Sequence, residues 1–404
     1  MASEPYPSTL QMYRSLALSV YAPSFLMSIC QGAVLLVIPL YALELGGGAG
    51  IASLVFAMRG LGNMAMDVPA GYATARFGDK HTMIAGVLVM AITGIFAAMS
   101  TSAWQLSVAA FFFGAAMATW LLARLTHISE EVHVSQRGKA ISTMAGLQRF
   151  GNLIGPVMTG IIADQFGWHW VFVVISILAV AALALVLIGV KHNIKGHHEE
   201  SPGILTLVPH ILSNHWPVFS TAGIAILCLT VIRAGRQLLV PLWGESIGLD
   251  ATEIGLIAGL ASGIDMIMFP LAGYMMDNWG RKYAGTSCLA LLSGGLVLVP
   301  LTDTFMMLAL AAMIAGMGNG LGSGINMTFG ADFAPDRERG EFLGVWRLMS
   351  DSGSFAGPVA MGYVADLFLL SSAFWLTATL GFAGAAVMVL FVKETLVKSI
   401  KPAD

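Results

Sequence analysis

Charged side chains are scarce in this chain, which sets it apart from soluble proteins. Lys, Arg, Asp and Glu make up 11% of its 404 residues, whereas hydrophobic residues make up 57%. A soluble domain carries roughly 25% charged residues, and a much smaller share could not cover a water-exposed surface. The chain must therefore be solvated largely by lipid. Its formal net charge of −3 is too small to indicate a nucleic-acid partner.

Cysteine is also rare, and its positions argue against disulfides and metal sites. The three cysteines, Cys30, Cys228 and Cys288, lie inside apolar runs, where they serve as small packing residues. The run at 197–200, with two His and two Glu, is better explained as a solvated charge run than as a metal site. We therefore expect no metal and no cofactor.

Nucleotide-binding and catalytic patterns are missing from the sequence. There is no Gly-x-x-x-x-Gly-Lys-Ser/Thr stretch, which argues against ATP as the energy source. No paired histidines and no Asp-x-x-Asp arrangement occur inside the apolar runs. These absences argue against a membrane-embedded enzyme.

A ten-residue stretch that occurs twice reveals an internal repeat. Residues 71–80 read GYATARFGDK and residues 273–282 read GYMMDNWGRK, an offset of 202 residues, which is half of the chain length. The same offset relates further pairs, which are Arg137-Gly138 with Arg339-Gly340, and Gly155-Pro156 with Gly357-Pro358. Matches at one offset indicate two copies of one unit. Each ten-residue stretch predicts a tight turn between two membrane spans.

Twelve apolar runs are long enough to cross a bilayer, which requires about 20 residues each. They lie at 16–45, 51–73, 81–100, 103–128, 139–165, 168–190, 217–246, 252–276, 283–300, 303–329, 340–366 and 370–392. The predicted fold is an all-α integral membrane protein with twelve transmembrane helices. Two pseudo-symmetric six-helix bundles occupy residues 1–190 and 217–404, and the polar stretch 191–216 links them.

The distribution of Lys and Arg predicts the orientation of these spans. The fourteen that lie outside the spans occur near the two termini or in the turns after spans 2, 4, 6, 8 and 10, whereas the opposite turns carry acids. Because cytoplasmic loops hold an excess of Lys and Arg, both termini and the linker are expected in the cytoplasm. The expected location is the cell (inner) membrane.

The six-plus-six spans, the central linker and the repeated turn resemble the major facilitator superfamily. The family's loop motif, Gly-x-x-x-Asp-Arg-x-Gly-Arg-Lys/Arg, is similar to the second copy of the turn at Gly273, Asp277, Gly280, Arg281 and Lys282. The first copy departs from the motif, because Ala75 replaces the Asp and Asp79 replaces an Arg. In this family the loop is thought to latch the cytoplasmic side. The resemblance therefore implies a latch with Asp277 as its central carboxylate, together with Arg281, Lys282, Arg76, Arg137 and Arg339.

A second similarity lies in span 5. Gly151, Gly155, Pro156 and Gly160 resemble the antiporter motif of drug-exporting family members. Glycines four residues apart let two helices approach closely, and proline bends a span. The motif indicates either efflux by antiport or helix packing alone. The second interpretation is favoured by a repetition of the pattern in span 11, at Gly353, Gly357 and Pro358.

Charged side chains in the interior of spans usually face a bundle interior or a water-filled path. Six arginines and three aspartates lie there, in spans 2, 4, 5, 7, 8 and 11. Buried cations without partners are unfavourable, so the surplus indicates an anionic or zwitterionic substrate. The alternative is that Arg233 and Arg236 are solvated near the outer mouth. The predicted substrate-binding residues are Arg59, Asn63, Arg149, Arg233, Arg236, Gln237, Gln31, Asn319 and Asn326.

Three aspartates are candidates for carrying a coupling proton. Asp67 and Asp265 have no Lys or Arg within four residues on their own helix. Desolvation should favour their protonated forms unless another span supplies a partner. Asp351 follows Arg347 by four residues, so it serves either in coupling or in a structural ion pair.

These features predict a secondary active transporter that works by alternating access. The expected mode is proton-coupled efflux of a small amphiphilic molecule. A proton symporter that imports an organic anion is the alternative, which the arginine surplus favours and the span 5 motif opposes. A membrane sensor without transport is less favoured, because such sensors usually carry an added soluble domain. The expected partners are the substrate, protons and the lipid bilayer, with the monomer as the working unit.

The charge distribution predicts that position 197 cannot be reached from outside the cell. In a variant whose three native cysteines are replaced, His197→Cys should react with an impermeant maleimide only after the membrane is opened, because the linker is cytoplasmic. Asp303→Cys, in the opposite set of turns, is the control and should react in intact cells. Ready labelling at position 197 in intact cells would overturn the orientation.

Overall fold

A computed structural model describes residues 9–190 and 204–396 of the chain. Within these ranges the backbone forms helices joined by short turns, and no strand occurs. In a bilayer every backbone N–H and C=O must find a partner inside the protein, and a helix supplies these partners locally. The predicted all-α membrane fold is therefore confirmed.

The chain divides into two compact units. The first comprises the residues up to Glu200 together with Gly244–Gly259, and the second comprises Ser201–Trp243 and the residues from Leu260 onward. These units are defined by contacts in space, whereas the predicted bundles are defined by the sequence repeat. The predicted bundle boundaries at 190 and 217 therefore stay a prediction. Each unit is described below by itself.

The first unit contains seven helices within residues 9–190. They are α1 Thr9–Leu16, α2 Ala22–Glu44, α3 Ala49–Phe77, α4 Asp79–Ala98, α5 Ala103–Glu131, α6 Val134–Phe166 and α7 Trp168–Gly189. The helix α2 packs against α6 and α7, α3 packs against α5, and α4 packs against α5 and α7. A π-helical turn, Ala17–Tyr21, joins α1 to α2.

The described part of the second half adds nine helices, α8 to α16. They are α8 Ile204–Asn214, α9 Trp216–Val218, α10 Ile224–Ser246, α11 Ala251–Asn278, α12 Arg281–Leu298, α13 Phe305–Leu321, α14 Ile325–Phe333, α15 Arg339–Leu367 and α16 Leu370–Phe391. The end of α10 and the start of α11 belong to the first unit. In the second unit, α12 packs against α13 and α16, and α15 packs against α16.

A second π-helical turn, Phe219–Gly223, precedes α10. It lies 202 residues after the first, so the repeat extends to this detail of the backbone. The two five-residue sequences, ALSVY and FSTAG, are unlike. Residue identities therefore gave no sign of these turns.

Helices occupy all twelve predicted span positions, but only ten helical stretches of the described residues are long and apolar enough to cross a membrane. The two that fall short are α6 and α15, at predicted spans 5 and 11. They are equivalent in the repeat. Both carry ionisable side chains in their interior, Arg149 in α6 and Arg347 with Asp351 in α15, which lower their mean hydropathy.

Large apolar side chains lie on the surface of both units. Trp104 is 76% exposed, Ile188 is 79% exposed and Leu390 is 70% exposed. Water would disfavour such a surface, whereas hydrocarbon chains of lipid would solvate it. The exposed side chains thus fit a protein that lies in a bilayer.

Glycines of predicted spans 5 and 11 lie where helices approach closely. A methyl group added at Gly155 of α6 would lie 2.5 Å from the carbonyl oxygen of Ile29 in α2, which is far below van der Waals contact. In the second unit, a methyl group added at Gly353 of α15 would collide with Thr230 of α10. Gly151, Pro156 and Gly357 also meet neighbouring helices, and Pro358 is buried. This geometry favours a packing role for the span 5 motif.

Part of the predicted linker is a helix attached to the second unit. His210 lies in α8, and His215 directly follows its last residue. Their Nε2 atoms lie 3.5 and 3.3 Å, respectively, from the carboxylate oxygens of Glu338. The hydrogen bonds with these two histidines hold the pKa of Glu338 below its usual value, and the one with His215 has the larger effect. Residues 191–203, which include His197, lie outside the described residues.

Gly155→Ala should lower the stability of the protein, because the added methyl group collides with the backbone of α2. Overpacking of this kind costs about 1–3 kcal/mol. Gly146→Ala in the same helix is the matched control, since nothing lies within 4 Å of a methyl group added there. The midpoint of thermal unfolding in detergent should fall for Gly155→Ala and stay level or rise for Gly146→Ala. Equal midpoints would contradict the close approach of α6 and α2.

Candidate functional site

Asp265 of α11 is the centre of a polar cluster that three helices of the second unit form. Arg236 Nη2 of α10 lies 3.9 Å from Asp265 Oδ2, and Asn319 Nδ2 of α13 donates a hydrogen bond to the same oxygen. The side chains of Arg236 and Asp265 are only 12% and 16% exposed. Two opposite charges so far from water stabilise each other. We call Arg236, Asp265 and Asn319 the aspartate cluster.

An interruption of predicted span 10 lies beside this cluster. The helix α13 ends at Leu321 and α14 begins at Ile325, with Gly324 between them at a φ of +84°, which favours glycine. Arg233 Nη2, one turn before Arg236, donates a 2.9 Å hydrogen bond to the carbonyl oxygen of Gly322. Interrupted helices at membrane depth are tolerated where they line a cavity or a site. The sequence predicted one continuous span here.

Several polar atoms around the cluster are left with unused hydrogen-bonding capacity. Arg233 Nε, Arg236 Nη1 and Asn319 Oδ1 are buried and have no hydrogen-bond partner within the described residues. Buried polar atoms are normally paired, so each such exception needs an explanation. A bound polar ligand or water would satisfy two donors and one acceptor at this place.

The aspartate cluster changes the expectation for the coupling proton. Asp265 has no cation on its own helix, but α10 supplies Arg236. The Asn319 amide of α13 contacts the same carboxylate oxygen, so Asp265 has partners on two other helices. Its role in proton coupling stays a prediction. The charge of Arg236 is offset by Asp265, so Arg236 does not add to the surplus of interior arginines that the sequence shows.

In the first unit, a chain of hydrogen bonds joins α2, α6 and α5. Gln148 Nε2 donates to Gln31 Oε1 at 3.4 Å, and Arg124 Nη2 donates to Gln148 Oε1 at 3.3 Å. Arg124 is 1% exposed, and its guanidinium carbon lies 5.9 Å from the centroid of the Trp120 ring. No carboxylate of the described residues pairs with Arg124. An amide and an aromatic face therefore stabilise this cation.

Arg59, Asn63 and Asp67 lie along one face of α3, as their four-residue spacing predicts. All three are half-buried, and the guanidinium carbon of Arg59 lies 5.1 Å from the centroid of the Phe56 ring. On α6, Arg149 Nη1 donates a 3.3 Å hydrogen bond to the carbonyl oxygen of the residue four positions before it. Their assignment to a substrate site stays a prediction.

The remaining predicted residues of the second unit have structural partners or lie apart from the cluster. Asn326 of α14 donates to Ser350 Oγ at 2.7 Å and accepts from Trp346 Nε1 at 2.8 Å, so it holds α14 against α15. Arg347 Nε lies 3.5 Å from Asp351 Oδ2, which is the ion pair that their spacing predicts. Gln237 is half-buried on α10, directly after Arg236. These contacts are ones that structural side chains also make, and the assignment of Asn326 to substrate binding and of Asp351 to coupling stays a prediction.

Acidic residues from outside the motif hold the second copy of the repeated turn. The backbone N–H groups of Arg281 and Lys282 donate to the two carboxylate oxygens of Glu394 at 2.9 and 3.0 Å. Arg281 Nε lies 3.3 Å from Asp332 Oδ2. Asp277 is exposed and forms no ion pair with any described residue. Its assignment as a latch therefore depends on the family resemblance.

The first copy of the turn has a pair that corresponds to Arg281–Asp332, but here the loop residue is the acid and its partner is the base. Asp79 is 4% exposed at the start of α4, and its Oδ2 pairs with His127 Nδ1 of α5. Asp79 is the repeat equivalent of Arg281, and His127 lies three residues before Glu130, the equivalent of Asp332. The loop thus supplies the acid in the first half and the base in the second.

The other residues assigned to the latch lie near the same turns. Arg76 Nη1 donates to Tyr72 Oη at 2.7 Å, and Arg137 Nε donates to the carbonyl oxygen of Val132 at 3.0 Å. Arg339 is exposed at the start of α15. The contacts of Arg76 and Arg137 are local, and the part of all three arginines in a latch stays a prediction.

Comparison with known families agrees with this geometry. The family model of the Major Facilitator Superfamily matches residues 22–358 and 225–404. The chain belongs to this superfamily. Its members are transporters, so the structure described here is that of a superfamily transporter.

Sequence relatives and solved structures match the transporter over different shares of its length. The "Uncharacterized MFS-type transporter YuxJ" of Bacillus subtilis is 27% identical over 336 residues, which cover 79% of this chain and 83% of YuxJ. The "Multi-drug resistance efflux pump PmrA" of Streptococcus pneumoniae is 30% identical over 166 residues, which cover 38% of this chain and 40% of PmrA. A crystal structure of a POT family transporter in complex with a thioalcohol-conjugated peptide covers 94% of this chain and 96% of its own, with a TM-score of 0.80 and 11% identity. The structural match shows the shared fold.

Besides the partners of Asp265, sequence analysis of the transporter missed two further partnerships that cross between helices. Gln148 is adjacent to Arg149 in the sequence but lies next to Arg124 in space. The Asp79–His127 pair joins residues 48 positions apart. One signal for this pair was available, since an acid in place of the motif's Arg requires a basic partner if it is buried.

Asp79 and His127 should be coupled in their effect on stability. Removal of one partner leaves the other buried without its hydrogen bond, which costs about 1–3 kcal/mol. We expect Asp79→Ala and His127→Phe to lower the thermal midpoint separately, and the double variant to lose clearly less than the sum. Phe already stands at the repeat equivalent of His127, position 329. Asp79→Ala combined with His133→Phe, an exposed histidine, is the additive control, and additive losses in the first pair would contradict the coupling.

Proposed function

We propose that this transporter exports a small amphiphilic molecule with a zwitterionic or anionic headgroup, in exchange for protons, by alternating access. The observation that carries the proposal is the aspartate cluster, where Asp265 shares its carboxylate oxygen between Arg236 and Asn319. The cluster holds a titratable group and a fixed cation within 3.9 Å, and both are largely shielded from water. It can therefore respond both to a proton and to a charged ligand.

A zwitterionic headgroup fits this arrangement in a way that produces exchange. Its cationic group would bind the Asp265 carboxylate, and its anionic group would bind Arg236 and Arg233, whose unused N–H groups point to such a ligand. Protonation of Asp265 removes the negative charge that the cationic group needs. Proton and substrate then exclude each other, and mutually exclusive binding is the requirement for antiport.

An anionic substrate would couple in the opposite sense. Protonation of Asp265 would release Arg236, which could then bind the anion, so that proton and substrate would bind together. This is the symport alternative, and the surplus of interior arginines favours it. The two modes differ in their pH dependence. Acidification should weaken substrate binding in antiport and strengthen it in symport.

Sequence relatives support export more than import. PmrA, whose name describes a multi-drug resistance efflux pump, is 30% identical over 38% of this chain. The span 5 motif also resembles that of exporting members, although its glycines lie at close helix contacts. The cytoplasmic location of the termini, which the distribution of Lys and Arg predicts, and the inner membrane as the site of action belong to the same proposal.

Asp265→Asn should abolish substrate accumulation driven by a pH gradient in proteoliposomes, because the amide cannot carry the proton. Substrate exchange at equal pH should weaken as well, since the amide, like the protonated carboxyl group, lacks the negative charge that the cationic group of the substrate needs. A first screen for counterflow would use labelled zwitterions, organic acids and cationic dyes. Arg236→Lys should weaken binding of the substrate found by roughly ten- to hundredfold, the loss expected for a charge-assisted contact of about 1.5–3 kcal/mol.

Asp351→Asn is the matched control, because Asp351 is a second interior aspartate that already pairs with Arg347 on its own helix. It should retain accumulation driven by the gradient. Full accumulation by Asp265→Asn would refute the coupling role of Asp265 and direct attention to Asp67. Stronger substrate binding at lower pH would replace antiport by symport.

A further inference from the structure

The helix α11 begins in the first unit, where a side chain of another helix caps it. The N–H of Ala251 donates to Asp164 Oδ1 at 3.1 Å, and the N–H of Thr252 donates to Asp164 Oδ2 at 2.7 Å. Asp164 lies in the last turn of α6, almost ninety residues earlier in the chain. A carboxylate at a helix N-terminus satisfies free N–H groups and interacts favourably with the positive end of the helix.

The remaining N–H groups at the start of α11 are satisfied within the helix itself. The N–H of Asp250 donates to Glu253 Oε2 at 3.1 Å, and the N–H of Glu253 donates to Asp250 Oδ1 at 2.7 Å. This reciprocal arrangement is a capping box. It leaves the two N–H groups between its members, those of Ala251 and Thr252, for Asp164. The N-terminus of α11 is therefore complete only while the end of α6 stays beside it.

Close packing surrounds this cap. A methyl group added at Gly255 of α11 would lie 2.5 Å from the carbonyl oxygen of Pro156 in α6, and one added at Gly160 would collide with Ala251. An open cavity of about 310 Å³ lies beside the cap and is lined in part by Asp164, Trp168 and Glu245. Water in this cavity could take over the N–H groups of α11 if α6 moved away. The contact is thus specific in geometry and can be broken at moderate cost.

We infer that Asp164 is a reversible latch, which holds the start of α11 to the end of α6 in one state of the transport cycle and releases it in another. The inference rests on the proposed alternating access, in which the two predicted six-helix halves, one with α6 and the other with α11, separate on one side of the membrane at a time. Lys and Arg are absent from the turns at this end of α6, so the distribution of charge assigns the latch to the outer side of the membrane. It uses a carboxylate and a helix end, and it needs no cation.

Distance measurements between spin labels test the latch directly. Labels on Phe166→Cys and Leu256→Cys report the separation of the two helix ends, since both side chains are exposed, at 65% and 38%. The three native cysteines are replaced by Ala in this background. Asp164→Ala should raise the ratio of long to short distances by about fivefold, the size expected for the loss of one helix cap. Asp164→Asn, which keeps one acceptor oxygen, should give an intermediate ratio.

Glu253→Ala is the matched control, because it breaks the capping box of the same helix without touching α6. Its ratio should stay within twofold of the parent protein. An unchanged ratio in Asp164→Ala, or an equal rise in Glu253→Ala, would overturn the latch. The measurement uses neither substrate nor a pH gradient, so a failure of the proposed coupling at Asp265 would leave its result intact. Conversely, a negative result for the latch would not affect the proposed role of the aspartate cluster, which the transport assays test separately.

Discussion

Backbone N–H groups at the start of a helix have no partner within that helix, so they need an acceptor from a side chain, another helix or water. Within the described residues, a carboxylate brought from elsewhere in the sequence meets this need at two helices. Asp164 of α6 binds two N–H groups of α11, and Glu394, which follows α16, binds two N–H groups of α12. In both places a helix begins properly only when a second helix is in position. At these two helix ends, the capping of the helix therefore depends on its packing against another segment of the chain.

Interior charges obey a related rule, since each finds its partner inside its own unit wherever the described residues show one. Asp265 pairs with Arg236, Asp351 with Arg347, and Asp79 with His127. Arg124 is an exception among the described residues, because an amide and an indole ring take the place of a carboxylate. The partners differ in what they permit. A lone ion pair on one helix is fixed, whereas the aspartate cluster joins three helices and keeps polar atoms in reserve for a ligand.

The fold could be predicted from sequence because its two signals are long-range averages. The length of the apolar runs defines the spans, and the repeat at a constant offset defines their grouping. Interactions within one helix could be predicted as well, as the Arg347–Asp351 pair shows. Partnerships between helices could not, because spacing along the chain does not say which helix faces which. Arg236 with Asp265, and Asp79 with His127, belong to this class.

Local interruptions of the helices were equally hidden. The break between α13 and α14 falls in a glycine-rich stretch, but glycine is frequent in membrane spans and does not by itself mark a break. The lower mean hydropathy of α6 and α15, compared with the other spans, was not predicted either. Their ionisable residues were noted one by one in the sequence, but their effect on the mean hydropathy of the whole helix appears only when the bounds of the helix are known.

The paired π-helical turns have a consequence for the phase of the helices on either side. One extra residue in a turn rotates everything before it by roughly 100° relative to everything after it. The buried side of α1, with Met12 and Leu16, therefore lies where it does because of the turn at Ala17–Tyr21 and not because of an unbroken periodicity. A wheel diagram drawn through the turn would place these two side chains on the wrong face. The duplication preserved this angular offset while the residues that form it changed.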